Sequence, residues 1–164
     1  MSLLNKVFEA YNGHRVMFSQ PEAIAAIAAS AIASDGYLLE QETELVITLL
    51  SQMEVFKGYS EKQITNMLNR LLSTLSVKGI NNVVAIANDS LHPEYKEAVF
   101  MLATEIILVD GVLCGKEQAF LIDLFQVLEI SSERASQIFT SKSEAYRVTN
   151  KKSKNYRINQ GSLK

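Results

Sequence analysis

An internal repeat constrains this sequence more than any other feature. Shifting the 164-residue chain by 75 positions places Asp35-Gly36 on Asp110-Gly111. The same shift aligns identical residues on both sides of this dipeptide: Glu22/Glu97, Ala23/Ala98, Ala28/Ala103, Leu38/Leu113, Glu42/Glu117, Ile47/Ile122 and Leu49/Leu124. A repeated unit of this length usually forms one supersecondary unit that packs against its copy. We therefore expect two similar halves, at about 20–76 and 93–146.

Apolar residues recur at helical spacing through most of the chain, and no segment alternates over the length of a strand. This pattern predicts an all-α, single-domain bundle of about eight helices, with the two repeats related by a pseudo-twofold axis. Pro21 and Pro93 suit first helical positions, and Ser60 with Gln63 is typical of a capping box at a helix start. We expect helices near 2–11, 21–33, 40–56, 61–75, 80–88, 93–108, 115–128 and 132–147.

The repeated motif is Asp-Gly-x-Leu-x-x-x-Glu between two helices. Its glycine suits the positive φ that ends a helix and turns the chain. If Leu39 and Cys114 are N-caps, Glu42 and Glu117 lie at the third helical position. From there a Glu side chain reaches back to the N-cap amide.

The acids of the motif continue the inward apolar stripes of the flanking helices, and buried carboxylates need hydrogen-bond donors or a cation. Backbone amides are one solution and a bound divalent metal is the other. The candidate metal ligands are Asp35, Glu42, Asp110 and Glu117. An EF-hand is excluded, because Tyr37 and Leu39 stand where that loop needs oxygen ligands.

Charge divides the chain into two parts. Residues 1–146 hold 10 Lys and Arg against 18 Asp and Glu, a net charge of −8, whereas residues 147–164 hold six basic residues and no acid. We therefore expect a helical domain over 1–146 and a basic tail over 147–164. An acidic body argues against nucleic-acid binding. The tail is either a solvated extension or a segment that binds an acidic or anionic surface through Lys151, Lys152, Lys154 and Arg157.

No pattern typical of a catalytic site is found. His14 and His92 have no second ligand at metal spacing, and phosphate-loop, dinucleotide and HExxH motifs are absent from the sequence. A single cysteine, Cys114, allows no intramolecular disulfide and suits a reducing compartment. We find no signal-peptide pattern and no apolar run of about 18 residues that would span a membrane.

The Ala-rich helix followed by Ala33-Ser34-Asp35-Gly36-Tyr37-Leu38 and Glu42 resembles the Ala-Asp-Gly-x-(Ile/Leu)-x-x-x-Glu signature of tellurite-resistance TerB-like domains. Val109-Asp110-Gly111-Val112-Leu113 with Glu117 is similar to a second occurrence of it. The resemblance covers roughly residues 20–146. It implies an all-α bundle and a non-enzymatic bacterial stress protein of the cytosol. It also implies association with partner proteins or with the inner membrane face, and a divalent cation such as Ca²⁺ or Zn²⁺ held by the acids. A scaffold whose acids only cap helices is the alternative.

Overall fold

The computed structural model describes the backbone of residues 17–36, 40–109 and 113–160, and side chains in these ranges as far as residue 147, except at 40 and 41. All secondary structure in this part of the chain is helical, which confirms the predicted all-α class. The seven α-helices are α1 Gln20–Ala33, α2 Glu40–Ser51, α3 Glu61–Lys78, α4 Ile80–Ser90, α5 Lys96–Leu108, α6 Gly115–Val127 and α7 Ser132–Gln160. The helix predicted near 2–11 lies outside the described residues.

Local capping signals set several helix starts. Ser19 caps α1, with Pro21 in the first turn, and its hydroxyl accepts a hydrogen bond from the Glu22 amide. Ser60 and Gln63 form the predicted capping box: the Ser60 amide donates to Gln63 Oε1 at 2.8 Å, and the Gln63 amide donates to Ser60 Oγ at 3.1 Å. These side chains satisfy amides that have no partner inside their own helix.

Two predicted helices are interrupted. The helix expected over 40–56 ends at Ser51, and a separate 3₁₀ helix, Glu54–Phe56, follows it. Phe56 is buried and this turn contacts α1 and α2, so burial of an aromatic side chain redirects the chain there. Likewise, Pro93 begins a short 3₁₀ helix, Pro93–Tyr95, before α5 starts at Lys96.

The centre of the bundle is α1. Every residue from Ala23 to Ile32 is buried, and α1 packs against α3, α4 and α5. Its small alanine side chains let neighbouring helices approach closely. Ser30, the polar residue in this stretch, donates its hydroxyl proton to the Ala26 carbonyl at 2.8 Å, so its burial leaves that donor satisfied.

The helix bounds follow the sequence repeat. A shift of 75 places the end of α1, Ala33, on the end of α5, Leu108, and the start of α2, Glu40, on the start of α6, Gly115. The pairings repeat as well, because α1 contacts α2 and α3 while α5 contacts α6 and α7. Within the described residues, α4 is an additional helix that joins the two halves.

Helices α5 and α7 run parallel and in register. Glu97 pairs with Arg134, Lys142 Nζ lies 3.4 Å from Glu105 Oε2, and the Tyr146 hydroxyl donates to the Val109 carbonyl at 2.6 Å. The three pairs share one sequence offset, 37 residues, and they span residues 97–109 of α5 and its C-cap. Contacts at a constant offset require two helices that point in the same direction.

Helix α7 extends well past the predicted end near residue 147. Its backbone is helical through Gln160, so most of the basic segment continues the last helix of the bundle rather than forming an irregular tail. At 1.5 Å per residue, the 14 residues after Tyr146 extend about 21 Å beyond the last described contact with α5. We call residues 147–160 the basic extension.

Candidate functional site: the repeated Asp-Gly turns

The first Asp-Gly turn follows α1. Ser34 is the C-cap, and its hydroxyl donates to the Ala31 carbonyl at 2.7 Å. Gly36 has a φ of +83° and its amide donates to the Ala33 carbonyl at 3.1 Å, which confirms the predicted positive φ. No atom lies within 4 Å of the position that a Cβ would take, so backbone conformation alone favours glycine here.

The second turn joins α5 to α6, and its Asp110, Gly111 and Val112 lie outside the described residues. Cys114 is the N-cap of α6, with an extended backbone. Its amide donates to Glu117 Oε2 at 2.9 Å, and its side chain accepts from the Glu117 amide. The capping role predicted for Cys114 and Glu117 is confirmed in this copy of the motif.

The two glutamates of the motif occupy matching positions. Glu42 is the third residue of α2 and Glu117 is the third residue of α6. Their relative exposures are 7% and 6%, so both carboxylates are buried where the repeat predicts an inward orientation. Asp35 is half-buried in its turn. The residue predicted to cap α2, Leu39, lies outside the described part of the chain.

The described acids do not converge on one cation. No three Asp, Glu, His or Cys residues in the described ranges lie close enough to hold a metal ion together. Asp35, Glu42 and Glu117 therefore do not form a single site, and the hydrogen bond from the Cys114 amide occupies one carboxylate oxygen of Glu117. The four-carboxylate metal set stays a prediction, because Asp110 lies outside the described residues.

The basic residues predicted to bind a partner or surface lie on the backbone of α7. Lys151, Lys154 and Arg157 are spaced three residues apart, which places their Cα atoms within about 120° of the helix circumference. Lys152 falls outside this arc. The side chains of all four residues lie outside the described part of the structure.

A shallow cleft between α5, α6 and α7 was not predicted. It has a volume of about 300 Å³ and is lined largely by apolar side chains, among them Phe100, Leu121, Ile122, Phe125 and Phe139. Periodicity assigns these residues to core stripes, so the sequence offers no signal for the cleft. Ile122 is 43% exposed, which shows that the stripe is incompletely covered in the second repeat.

The two histidines were the other candidate metal ligands, and His92 makes contacts that stabilise the fold. The His92 amide donates to Gln20 Oε1 at 2.8 Å, and its ring packs edge-on against Tyr95. His14 lies outside the described residues. Among the described helices, none is long and apolar enough to cross a membrane.

The fold and the turns define a class: an all-helical domain whose two repeats each place a buried glutamate after a turn between helices. Residues 21–139 match the family described as tellurite resistance protein TerB, and this span includes both Asp-Gly turns. The chain therefore belongs to the TerB family. Comparisons with curated proteins and with solved structures give no match. The basic residues from Lys151 to Arg157 lie beyond the matched span.

Proposed function

We propose that this protein is a non-enzymatic, cytoplasmic stress-response module of the TerB type that works by binding partner proteins. The observation that supports this role most directly is the family match across both repeats. The family match provides the stress-response context. The basic extension lies outside that match and is the binding element in this proposal.

Charge supports the choice of the extension as the binding element. Residues 147–160 include Arg147, Lys151, Lys152, Lys154 and Arg157 and no acid. Most helical stability in proteins comes from burial of an apolar face. This segment has few apolar residues to bury against the bundle, so packing within its own chain stabilises it little. A partner with an acidic or anionic surface would offset the mutual repulsion of these charges.

A complementation experiment tests this function. A host strain lacking the gene is exposed to tellurite and to oxidative stress, with survival as the readout. We expect the wild type to restore survival, and a variant with Lys151, Lys152, Lys154 and Arg157 changed to Gln to fail. The matched control changes four exposed lysines elsewhere to Gln, which gives the same change in net charge: Lys57, Lys62, Lys78 and Lys116. Equal survival with all three proteins would exclude the extension from the stress function.

Divalent-cation binding at the turns is a second candidate function. It is favoured by the buried carboxylates Glu42 and Glu117 at matching positions. Hard cations such as Ca²⁺ take carboxylate and carbonyl oxygens, and Zn²⁺ also accepts carboxylates. A bound cation would neutralise the buried charge and tie the turn to the following helix. The observed capping bonds of Glu117 favour the alternative, in which the acids only cap helices.

Calorimetry separates the two possibilities. Ca²⁺ and Zn²⁺ are titrated separately into the wild type and into a variant carrying Glu42→Gln and Glu117→Gln. Glutamine keeps an oxygen that can accept the N-cap amide but removes the charge. Binding heat that is present in the wild type and lost in the variant would support a cation site. Absence of heat in the wild type would leave the acids as caps.

A further inference from the structure

One end of the bundle collects the ends of five helices. The Phe18 amide donates to Ser90 Oγ at 2.9 Å, which joins the start of α1 to the end of α4. Lys96 pairs with Glu129, which joins the start of α5 to the end of α6. The start of α7 is held there by the pair between Arg134 and Glu97.

This end carries an excess of acids. The described residues there include three bases, Lys96, Arg134 and Arg70, which pairs with Glu22, against six acids: Glu22, Asp89, Glu94, Glu97, Glu129 and Glu133. Asp89, Glu94 and Glu133 are exposed. We call this surface the acidic end.

The basic extension lies at the opposite end of the same helix. Because α7 runs parallel to α5 from Arg134 to Tyr146, its later residues continue away from the acidic end. The separation between Arg134 and Lys154 is about 30 Å along the axis, at 1.5 Å per residue. Ion pairs form over about 4 Å, so the extension cannot reach the acidic end of its own chain.

We propose that the basic extension of one copy binds the acidic end of a second copy of this chain. The inference rests on the proposed function, since it names the partner of the extension that carries that function. Charge complementarity supports this partner: the extension supplies basic residues without acids, and the acidic end has a net charge of −3 from its described residues. The exposed acids supply carboxylates that the chain's own extension cannot contact.

The contact is head-to-tail, because each copy contributes a basic extension on one side and an acidic end on the other. A head-to-tail contact leaves one free end of each kind and builds open chains or closed rings. Individual exposed ion pairs are weak, so the assembly depends on several pairs together and on salt.

Sedimentation velocity of the full chain tests the proposal. We expect dimers and larger species near 0.01 M salt, where the screening length is about 30 Å, and monomers near 1 M, where it is about 3 Å. Neutralising Lys151, Lys152, Lys154 and Arg157 with Gln should abolish association. Changing Asp89 to Asn and Glu94 and Glu133 to Gln should do the same. The control neutralises three exposed acids elsewhere on the protein, with the substitutions Glu44→Gln, Asp123→Asn and Glu144→Gln. This control should associate like the wild type.

Mixing the two non-associating variants gives the sharpest result. One retains the acidic end and the other retains the extension, so the mixture should form a one-to-one dimer and no larger species. Thermal melts of each variant confirm that it is folded. A wild type that stays monomeric at low salt, or association that survives neutralisation of the extension, would overturn the proposal. If the wild type is monomeric but the extension is still required for stress survival, the proposed function stands and the extension binds another partner.

Discussion

Glu117 Oε2 accepts a hydrogen bond from the backbone amide of Cys114, three residues earlier, at 2.9 Å. Gln63 makes the same bond to the Ser60 amide at the start of α3, at 2.8 Å. A buried carboxylate and an exposed amide side chain therefore perform the same local task in two helices of this chain.

We predict that Glu117→Ala lowers the free energy of unfolding by about 1–2 kcal/mol, because it removes a helix cap. Glu117→Gln should lose less than half as much, since Gln can accept the same amide hydrogen bond, as Gln63 does. Urea unfolding followed by circular dichroism measures both. Equal losses in the two variants would show that the charge of Glu117, and not its capping bond, stabilises the fold.

Gly36→Val should destabilise the protein by about 1 kcal/mol or more, because a β-branched residue resists a φ of +83°. The matched control is Gly115→Ala, at the first position of α6. No atom lies within 4 Å of its Cβ position, and its φ is not positive. Thermal melts of both variants are compared with the wild type. A wild-type melting temperature for Gly36→Val would show that this turn does not need glycine. Gly111, the corresponding glycine of the second turn, lies outside the described residues.

Tyr146→Phe should cost about 1 kcal/mol of stability, because it removes the hydrogen bond to the Val109 carbonyl without changing the ring. The control is Tyr59→Phe, where the side chain is 39% exposed. Chemical denaturation measures both. If the two substitutions have the same effect, the contact between α7 and the end of α5 contributes little.

Glu129 is a non-glycine residue with a φ of 59°, just after α6. The Ile130 amide donates to the Phe125 carbonyl at 2.9 Å, as in a Schellman motif, where glycine is preferred. Glu129→Gly should therefore raise stability by about 1 kcal/mol, because glycine takes a positive φ without the steric cost that other residues carry. Glu129→Ala keeps the strained φ and loses the weak pair with Lys96, so it should be neutral or slightly destabilising. A gain for alanine equal to that for glycine would contradict the strain argument.

Local chemistry made much of the fold predictable. The predicted helices at 21–33 and 61–75 correspond to Gln20–Ala33 and Glu61–Lys78, because caps and apolar stripes both lie close in sequence. The repeat also predicted the third-position glutamates, which the structure places in matching, buried environments.

Features that depend on long-range packing could not be predicted from the sequence. The break after Ser51 depends on burial of Phe56 against α1 and α2, which no local pattern encodes. The parallel register of α5 and α7 depends on pairs 37 residues apart, such as Glu97 with Arg134. The last helix was predicted to end near residue 147, whereas its backbone stays helical through Gln160 although the segment has few apolar residues.

Site-specific photo-crosslinking in the host tests the central claim, that the protein works by binding partner proteins through the basic extension. A photoreactive residue replaces Asn155 on the extension or, as a control, the exposed Asn69 on α3. We predict crosslinked protein adducts from position 155 and not from position 69, with mass spectrometry showing whether the partner is a second copy or another protein. Absence of adducts from position 155, or equal adducts from both positions, would contradict the claim.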